Sequence, residues 1–272
     1  MIKDQLQLEL DRYYSYGRDN QVRFTHRSRI NQLSKLINNF SARHKGPARA
    51  QALDAGCGYG IYSLLLAEAG YDVFGIDINE EEIRKASNWA SERGVQDRIT
   101  FQIGDVQNIR HGDSTFDLIV CSEVLEHLED PINGARELWR TLKDNGTAII
   151  SMPNVACLYG LLQWSYRSSG LRSLLGKPPL TQHQIQHSRF WFGNILTILK
   201  TVGFQVESIY STAHLPYLWD VDRFFEKLVK VSLVMNMDNL LSKLPGFRYL
   251  GFNFIVVVSK GDRSQQASTH HC

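Results

Sequence analysis

The segment LDAGCGYG, Leu53 to Gly60, sets glycine at every second position behind a short apolar run. A strand that ends in a glycine-rich turn and feeds a helix brings backbone N–H groups close to a nucleotide-like ligand. The dinucleotide fingerprint fails in both frames, because its third glycine would be Ile61 counted from Gly56 and Ser63 counted from Gly58. The turn also lacks the lysine and hydroxyl residue of a P-loop. Further on, SEVLEHL groups Glu123, Glu126 and His127. A histidine there is suited to take a proton near neutral pH. The plainer alternative is that His127 helps to start a helix while Glu126 faces solvent.

The elements that must position these residues are legible as alternation. Up to about Pro47 the pattern is helical and polar, with Ile30, Leu33, Leu36, Ile37 and Phe40 on one face, so residues 1–48 read as a helical lead-in or lid. From Ala50 strands alternate with helices. QALDAG is followed by a helix over about 61–69, YDVFGID by a helix over about 80–93, and then come RITFQIGD, FDLIVCSE, a helix over about 132–142 and GTAIISMP. Asn79 can cap the second of these helices, Glu82 sits where a capping-box partner belongs, and Gly94 can end it. Right-handed crossovers then put the functional loops at the carboxyl ends of a parallel sheet. Insertions near 153–188 and 211–246 interrupt the alternation, which resumes with a helix over about 192–201, the strand FQVESIY and the strand FNFIVVVS. Residues 261–272 read as a disordered tail.

In this order the motifs resemble the class I S-adenosylmethionine-dependent methyltransferases, in particular the type 11, type 23 and ubiquinone-type small-molecule groups. The family's first motif is an acidic residue, a spacer and G-x-G-x-G, here Asp54, Ala55, Gly56, Cys57, Gly58, Tyr59 and Gly60. Three more follow: Asp77 in GIDIN, Asp105 in IGDVQ, and FDLIVCSEVLEHLEDP. The resemblance implies a Rossmann-like α/β fold over about residues 49–260, a seven-stranded mostly parallel sheet with the last strand antiparallel and helices on both faces. It also implies S-adenosylmethionine as cofactor. Asp77, with Ile78 beside it, would accept both ribose hydroxyl protons, Asp105 would bond the adenine amino group, and Val106 would offer its N–H. Gly56, Cys57, Gly58 and Gly60 would pass beneath the methionine part, where a side chain at Gly56 or Gly58 would occupy the ligand's space. Asp54 would orient the turn or meet the amino group, and Glu123 would face the sulfonium. The alternatives are a helix cap for Asp77 and a loop-turn aspartate for Asp105.

Methyl transfer is an in-line displacement that depends on aligning the acceptor atom with the methyl and excluding water. His127 is the candidate base. Glu123, Glu126 and His127 also match the Glu-x-x-Glu-His spacing of metal-assisted small-RNA 2′-O-methyltransferases, for which His183 or His187 would complete the metal site, but small-molecule enzymes that need no metal share the spacing. No metal is expected. HSRFWFGNILTILKTVGF resembles a segment of the type 11 and type 23 groups in which His187, Arg189, Phe190 and Trp191 would line the acceptor pocket, packing under the sheet being the alternative for the aromatics.

Composition bounds the rest. The 272 residues, 43% hydrophobic and 21% charged, fit one globular domain with insertions. A net charge of +2 does not argue for nucleic acid, no RNA module or strongly basic stripe is evident, and no nucleic-acid partner is expected. Arg12, Arg18, Arg23, Arg27 and Arg29 gather near the start, as on a solvated helix face. Cys57, Cys121, Cys157 and Cys272 show neither CxxC nor CxH spacing, which fits a reducing compartment. MIKDQLQLEL is charged where a signal peptide is apolar, and no apolar run approaches the roughly 18 residues that span a bilayer. The expectation is a cytoplasmic chain. Within 215–237, Leu218, Trp219, Phe224, Phe225 and Leu228 interleave with Arg223, Lys227 and Lys230, a pattern that can lie on a membrane, cover an apolar acceptor, pair two copies or form a lid. The activity expected is methylation of an oxygen, before a nitrogen, of a small molecule, glycan or lipid-linked intermediate. The non-enzyme rival is a cofactor-binding sensor or partner subunit.

Overall fold

The computed structural model describes residues 20–43, 50–154, 192–212, 237, 240 and 251–261. The chain divides into two compact units, residues 1–32, 153–191 and 210–254 forming one, and residues 33–152, 192–209 and 255–272 the other. In the first, Asn154 is buried and donates its side-chain N–H to Gly251 O at 2.8 Å and its backbone N–H to Phe252 O at 2.6 Å. The second carries every candidate cofactor residue and His127.

Helix α1 spans Asn20–Arg43 and buries Ile30, Leu33, Leu36 and Ile37, with Phe40 half-buried. It is followed by β1 (Gln51–Ala55), α2 (Ile61–Glu68), β2 (Asp72–Asp77), α3 (Glu80–Glu92), β3 (Ile99–Ile103), β4 (Phe116–Ser122), α4 (Pro131–Thr141), β5 (Leu142–Pro153), α5 (Phe192–Val202), β6 (Phe204–Thr212) and β7 (Asn253–Lys260). The seven strands form one sheet in the order β3-β2-β1-β4-β5-β7-β6, six parallel and the last antiparallel. The chain runs outward from β1 to β3 and then returns to place β4 on the other side of β1. Right-handed crossovers therefore put α2 and α3 on one face of the sheet and α4 on the other. The reversal opens a crevice above the carboxyl ends of β1 and β4.

Strands buried on both faces must be apolar nearly throughout. Ala52, Leu53, Leu118, Ile119, Val120, Ala148, Ile149 and Ile150 meet that demand, each no more than 1% exposed. In α2 all residues from Ile61 to Ala67 are buried, so the helix lies inside the layer rather than on it. Both α2 and α3 end in a Schellman motif. Gly70 N donates to Ala67 O and Tyr71 N to Leu66 O after α2, while Gly94 N donates to Ser91 O and Val95 N to Ala90 O after α3. The cap of α3 departs from expectation in one respect. Asn79 accepts from the Glu81 and Glu82 N–H groups as its position requires, but the Asn79 N–H donates to Asp77 Oδ1 at 2.9 Å rather than to the Glu82 side chain.

No α-helix joins β3 to β4, and Arg140 of α4 holds that connection in place. All five of its guanidinium donors are used, on both oxygens of Glu137, on Asp113, and on the carbonyls of Ile109 and His111. Glu137 Oε2 also accepts the Ile109 N–H at 2.9 Å. Lysine has three donors and no fork. Arg140→Lys should therefore cost on the order of 1–3 kcal/mol in urea unfolding, and an unchanged midpoint would show that the clamp carries no stability.

Candidate functional site

The end of β1 passes directly into the glycine turn. Gly56 N and Cys57 N both donate to Ile76 O, at 2.8 and 2.9 Å, which pins the turn against β2. Gly58 N donates to Asp77 Oδ2 at 2.8 Å. Gly60 N returns to Cys57 O at 2.8 Å, and Gly60, which has no side chain to cap with, is the N-cap of α2. Gly56 and Gly58 have φ of 75° and 50°, in the left-handed region that favours glycine. The space that a side chain at Gly56 would need belongs to the protein itself. Its Cβ would lie 2.3 Å from Val124 Cγ2, in the loop after β4, and a Cβ at Gly58 would lie 2.9 Å from Glu82 Oε2. The turn is thus locked between the β4 loop and α3 before any ligand is considered.

Asp77 is both a helix-cap element and a turn anchor, because its two oxygens accept one N–H each from Asn79 and Gly58. A carboxylate offers about four lone-pair sites, so each oxygen keeps acceptor capacity toward the crevice. Ile78 follows it, 76% exposed. Beside it on β3, Ile103 pairs in register with Asp77 and is 54% exposed. Two bare isoleucines at neighbouring strand ends make an apolar platform next to a hydroxyl acceptor. Sequence reasoning missed Ile103, although its place immediately before Gly104 and Asp105 was a usable signal.

Asp105 takes the turn role. Its Oδ1 accepts the Gln107 N–H at 2.8 Å, and its carbonyl accepts the Asn108 N–H at 2.9 Å. Gln107 then bonds Asp130 N through its side-chain oxygen, and its carbonyl accepts from Asn133 Nδ2, joining this loop to the start of α4. Val106 is buried.

After β4, Glu123 adopts φ 58°, left-handed for a non-glycine residue, and donates its N–H to Ser151 O at 2.9 Å. Strain of this kind concentrates at functional sites. Beneath it, Ser122 Oγ lies 2.7 Å from Ser151 Oγ and donates to Tyr62 Oη at 3.2 Å, a hydroxyl chain across α2, β4 and β5 that the sequence did not disclose. Residues Leu125–His127 form a single 3₁₀ turn. The alternative in which Glu126 faces solvent is overturned: its side chain is 2% exposed while that of His127 is 49% exposed, with His127 Nε2 4.0 Å from Glu126 Oε1. Nor does His127 start α4, whose cap is Asp130, accepting from Ile132 N and Asn133 N ahead of Pro131. Among the described residues no three His, Cys, Asp or Glu side chains form a group that could hold a metal, so Glu123, Glu126 and His127 do not constitute one. His183, His187, Arg189, Phe190 and Trp191 lie outside the described residues, as does 215–237 apart from the exposed Met237. Among the described residues no helix is long and apolar enough to cross a membrane.

The environment also acts strongly on Asp54. It is 1% exposed, and its Oδ2 accepts from Ser63 Oγ at 2.7 Å. Burial pushes its carboxyl up to about 7, Ser63 opposes the rise and the Asp77 charge adds to it. The Cys57 thiol is driven up by the same burial and by both carboxylates.

A doubly wound sheet with a glycine turn and an acidic second-strand end at its switch point defines a Rossmann-like class of nucleotide-binding protein. The chain belongs to the methyltransferase domain family, which it matches over residues 24–209. It is 30% identical over 139 residues to a ubiquinone biosynthesis O-methyltransferase of Rickettsia felis, an alignment covering 51% of this chain and 56% of that one. The chain thus spans little more than half the length of that relative. Among solved structures, the PH0226 protein of Pyrococcus horikoshii superposes with a TM-score of 0.55 at 22% identity over 86% of this chain and 91% of that one. A SAM-dependent methyltransferase of Aquifex aeolicus gives 0.50 at 18% identity over 85% and 96%. At these identities the structures establish the fold.

The Asp54 environment has a measurable consequence. Between the ordinary carboxyl value of 3.8 and about 7 the folded chain keeps a proton that the unfolded chain has released, so the folded state loses stability as pH rises through that window. Asp54→Asn removes the effect. The stability of wild type relative to this variant should fall by on the order of a few kcal/mol between pH 4.5 and pH 8 in urea unfolding, and a constant difference would show that Asp54 is ionised throughout.

Proposed function

We propose that the chain transfers the methyl group of S-adenosylmethionine to an oxygen of a small-molecule, glycan or lipid-linked acceptor. The observation that carries this reading is Asp77, whose carboxylate holds the Gly58 N–H of the turn at 2.8 Å while keeping acceptor capacity beside the exposed Ile78 and Ile103. A ribose needs acceptors for two hydroxyls, a purine needs an apolar platform, and a sulfonium needs nearby carboxylates. Asp77, Ile78 with Ile103, and Asp54 with Glu123 fit these demands, and the N-terminus of α2 suits an amino-acid carboxylate. When bound, the cofactor supplies an electrophilic methyl group on a cationic sulfur.

The protein's part is alignment, dryness and one proton. Val124, wedged against Gly56, fixes the distance between the turn and the β4 loop, and so the line along which an acceptor must approach. His127, half exposed at the rim, is the residue suited to take the acceptor's proton, and the buried Glu126 carboxyl beside it would stabilise the imidazolium formed. Such a base is best matched to a phenolic oxygen, whose ordinary pKa of about 10 is closer to that of histidine than an alcohol's. The Rickettsia relative, named for O-methylation in ubiquinone biosynthesis, supports oxygen over nitrogen. His187, Arg189 and Trp191 would read the acceptor, and the basic apolar stretch 215–237 suits one carried on a lipid.

Calorimetric titration with S-adenosylmethionine should show binding by wild type and a loss of about tenfold or more in Asp77→Ala. With methyl-labelled donor and a phenolic acceptor, label should appear on oxygen, and His127→Ala should lower kcat about 10²-fold or more with little change in KM. Absence of binding at any reachable donor concentration would overturn the reading.

A further inference from the structure

Asp54 sits near the carboxyl end of β1 at the switch point, paired in register with Gly75 on β2 and Val120 on β4, two residues before Gly56, where the turn that would carry the donor begins. Its side chain is sealed, 1% exposed. The groups that face it are Ser63 on α2, which donates to it, Cys57 in the turn, Asp77 across the turn at the end of β2, and Cys121 on β4. These are neutral donors, thiols held protonated by burial, and one further carboxylate. Beyond Cys121 lies a further acidic residue, Glu126. A carboxyl so enclosed gains little from ionising until a positive charge arrives on the crevice side.

Resting on the reading of the site as a methyl-donor site, we propose that Asp54 releases its proton to solvent when the cationic donor settles over the glycine turn, and regains one when the neutral product takes its place. The site then acquires the charge that attracts a sulfonium only when a sulfonium is present. In methyl transfer a lone pair of the acceptor oxygen would form the bond to the methyl carbon as the carbon–sulfur pair leaves with sulfur, the acceptor's proton would go to the base, and the sulfonium would become an uncharged thioether. Asp54, no longer opposed by a cation, takes a proton from solvent, so that the protein returns to its ligand-free charge as the product departs. One residue, Ala55, separates Asp54 from Gly56, the first glycine of the turn, at about 3.3 Å per residue along a strand. At that range a unit charge in a partly buried setting lowers the proton affinity of a carboxyl by about ten- to a hundredfold. Donor affinity should therefore rise with pH through neutrality more steeply than product affinity, and discrimination of donor from product should widen as pH rises.

The test is calorimetry of the full chain with S-adenosylmethionine and S-adenosylhomocysteine at pH 7, each in two buffers of different ionisation enthalpy. Donor binding is expected to release about half a proton per site, the fraction Asp54 retains near its midpoint. Product binding should release distinctly less. Asp54→Asn keeps a hydrogen-bond acceptor for Ser63 and leaves only the protons that the ligands' own amino groups exchange, so the difference in release between donor and product should be distinctly smaller in the variant than in wild type. Should the variant not fold, the wild-type affinity ratio of donor to product between pH 6 and pH 8.5 tests the same point, with an increase of about tenfold expected. Tight donor binding with equal proton release for the two ligands, or a flat ratio, overturns the proposal while leaving the methyl-donor reading intact. Absence of donor binding overturns both.

Discussion

One carboxylate holds the site together. Asp77 closes β2, and its two oxygens take the N–H of Gly58 and that of Asn79. The first bond fixes the middle of the glycine turn; the second fixes the entry to α3, whose cap residue then orders the Glu81 and Glu82 N–H groups. A change at this position would disturb a strand end, a turn and a helix start together. It also explains why Asp77 reads equally well as a structural and as a binding residue, because an ionised carboxylate has enough lone pairs for both.

The remaining geometry follows from the reversal of strand order between β1 and β4. Val124, in the loop after β4, fills the space over Gly56, so the β4 loop packs directly against the glycine turn. The hydroxyl chain from Tyr62 through Ser122 to Ser151 ties α2, β4 and β5 together just below the strained Glu123. Polar groups concentrate at this end of the sheet, where Asp54, Ser63, Ser151 and Glu126 are all buried. Their desolvation costs stability unless they are bonded, and a site that needs fixed dipoles and charges accepts that cost.

Much of this was legible in the sequence because it depends on local rules. Glycine at positions of positive φ, Asn79 at a helix start, Gly94 past a helix end and unbroken apolar runs in buried parallel strands each leave a mark within a few residues. What escaped depends on partners distant in the chain. Glu82 was the capping-box candidate by spacing, but Asp77, two residues before the cap, reaches the Asn79 N–H first. Gly56 was legible as glycine, yet the neighbour that excludes a side chain there is Val124, 68 residues on. Which of Glu126 and His127 points inward is set by one 3₁₀ turn, whose phase no periodicity in SEVLEHL encodes. Ile103 looked like an ordinary strand residue, and only the register of β3 with Asp77 brings it to the crevice.

The central claim is that the Asp77 carboxylate, and not the turn's own backbone, holds the middle of LDAGCGYG in its binding conformation. Residue-resolved amide hydrogen exchange on wild type and Asp77→Ala tests it most directly. The Gly58 and Asn79 amides should be protected in wild type and exchange much faster in the variant, while the Gly56 and Cys57 amides, bonded to Ile76 O, keep their protection. Equal Gly58 exchange in the two proteins would contradict the claim and leave Asp77 without a part in building the turn.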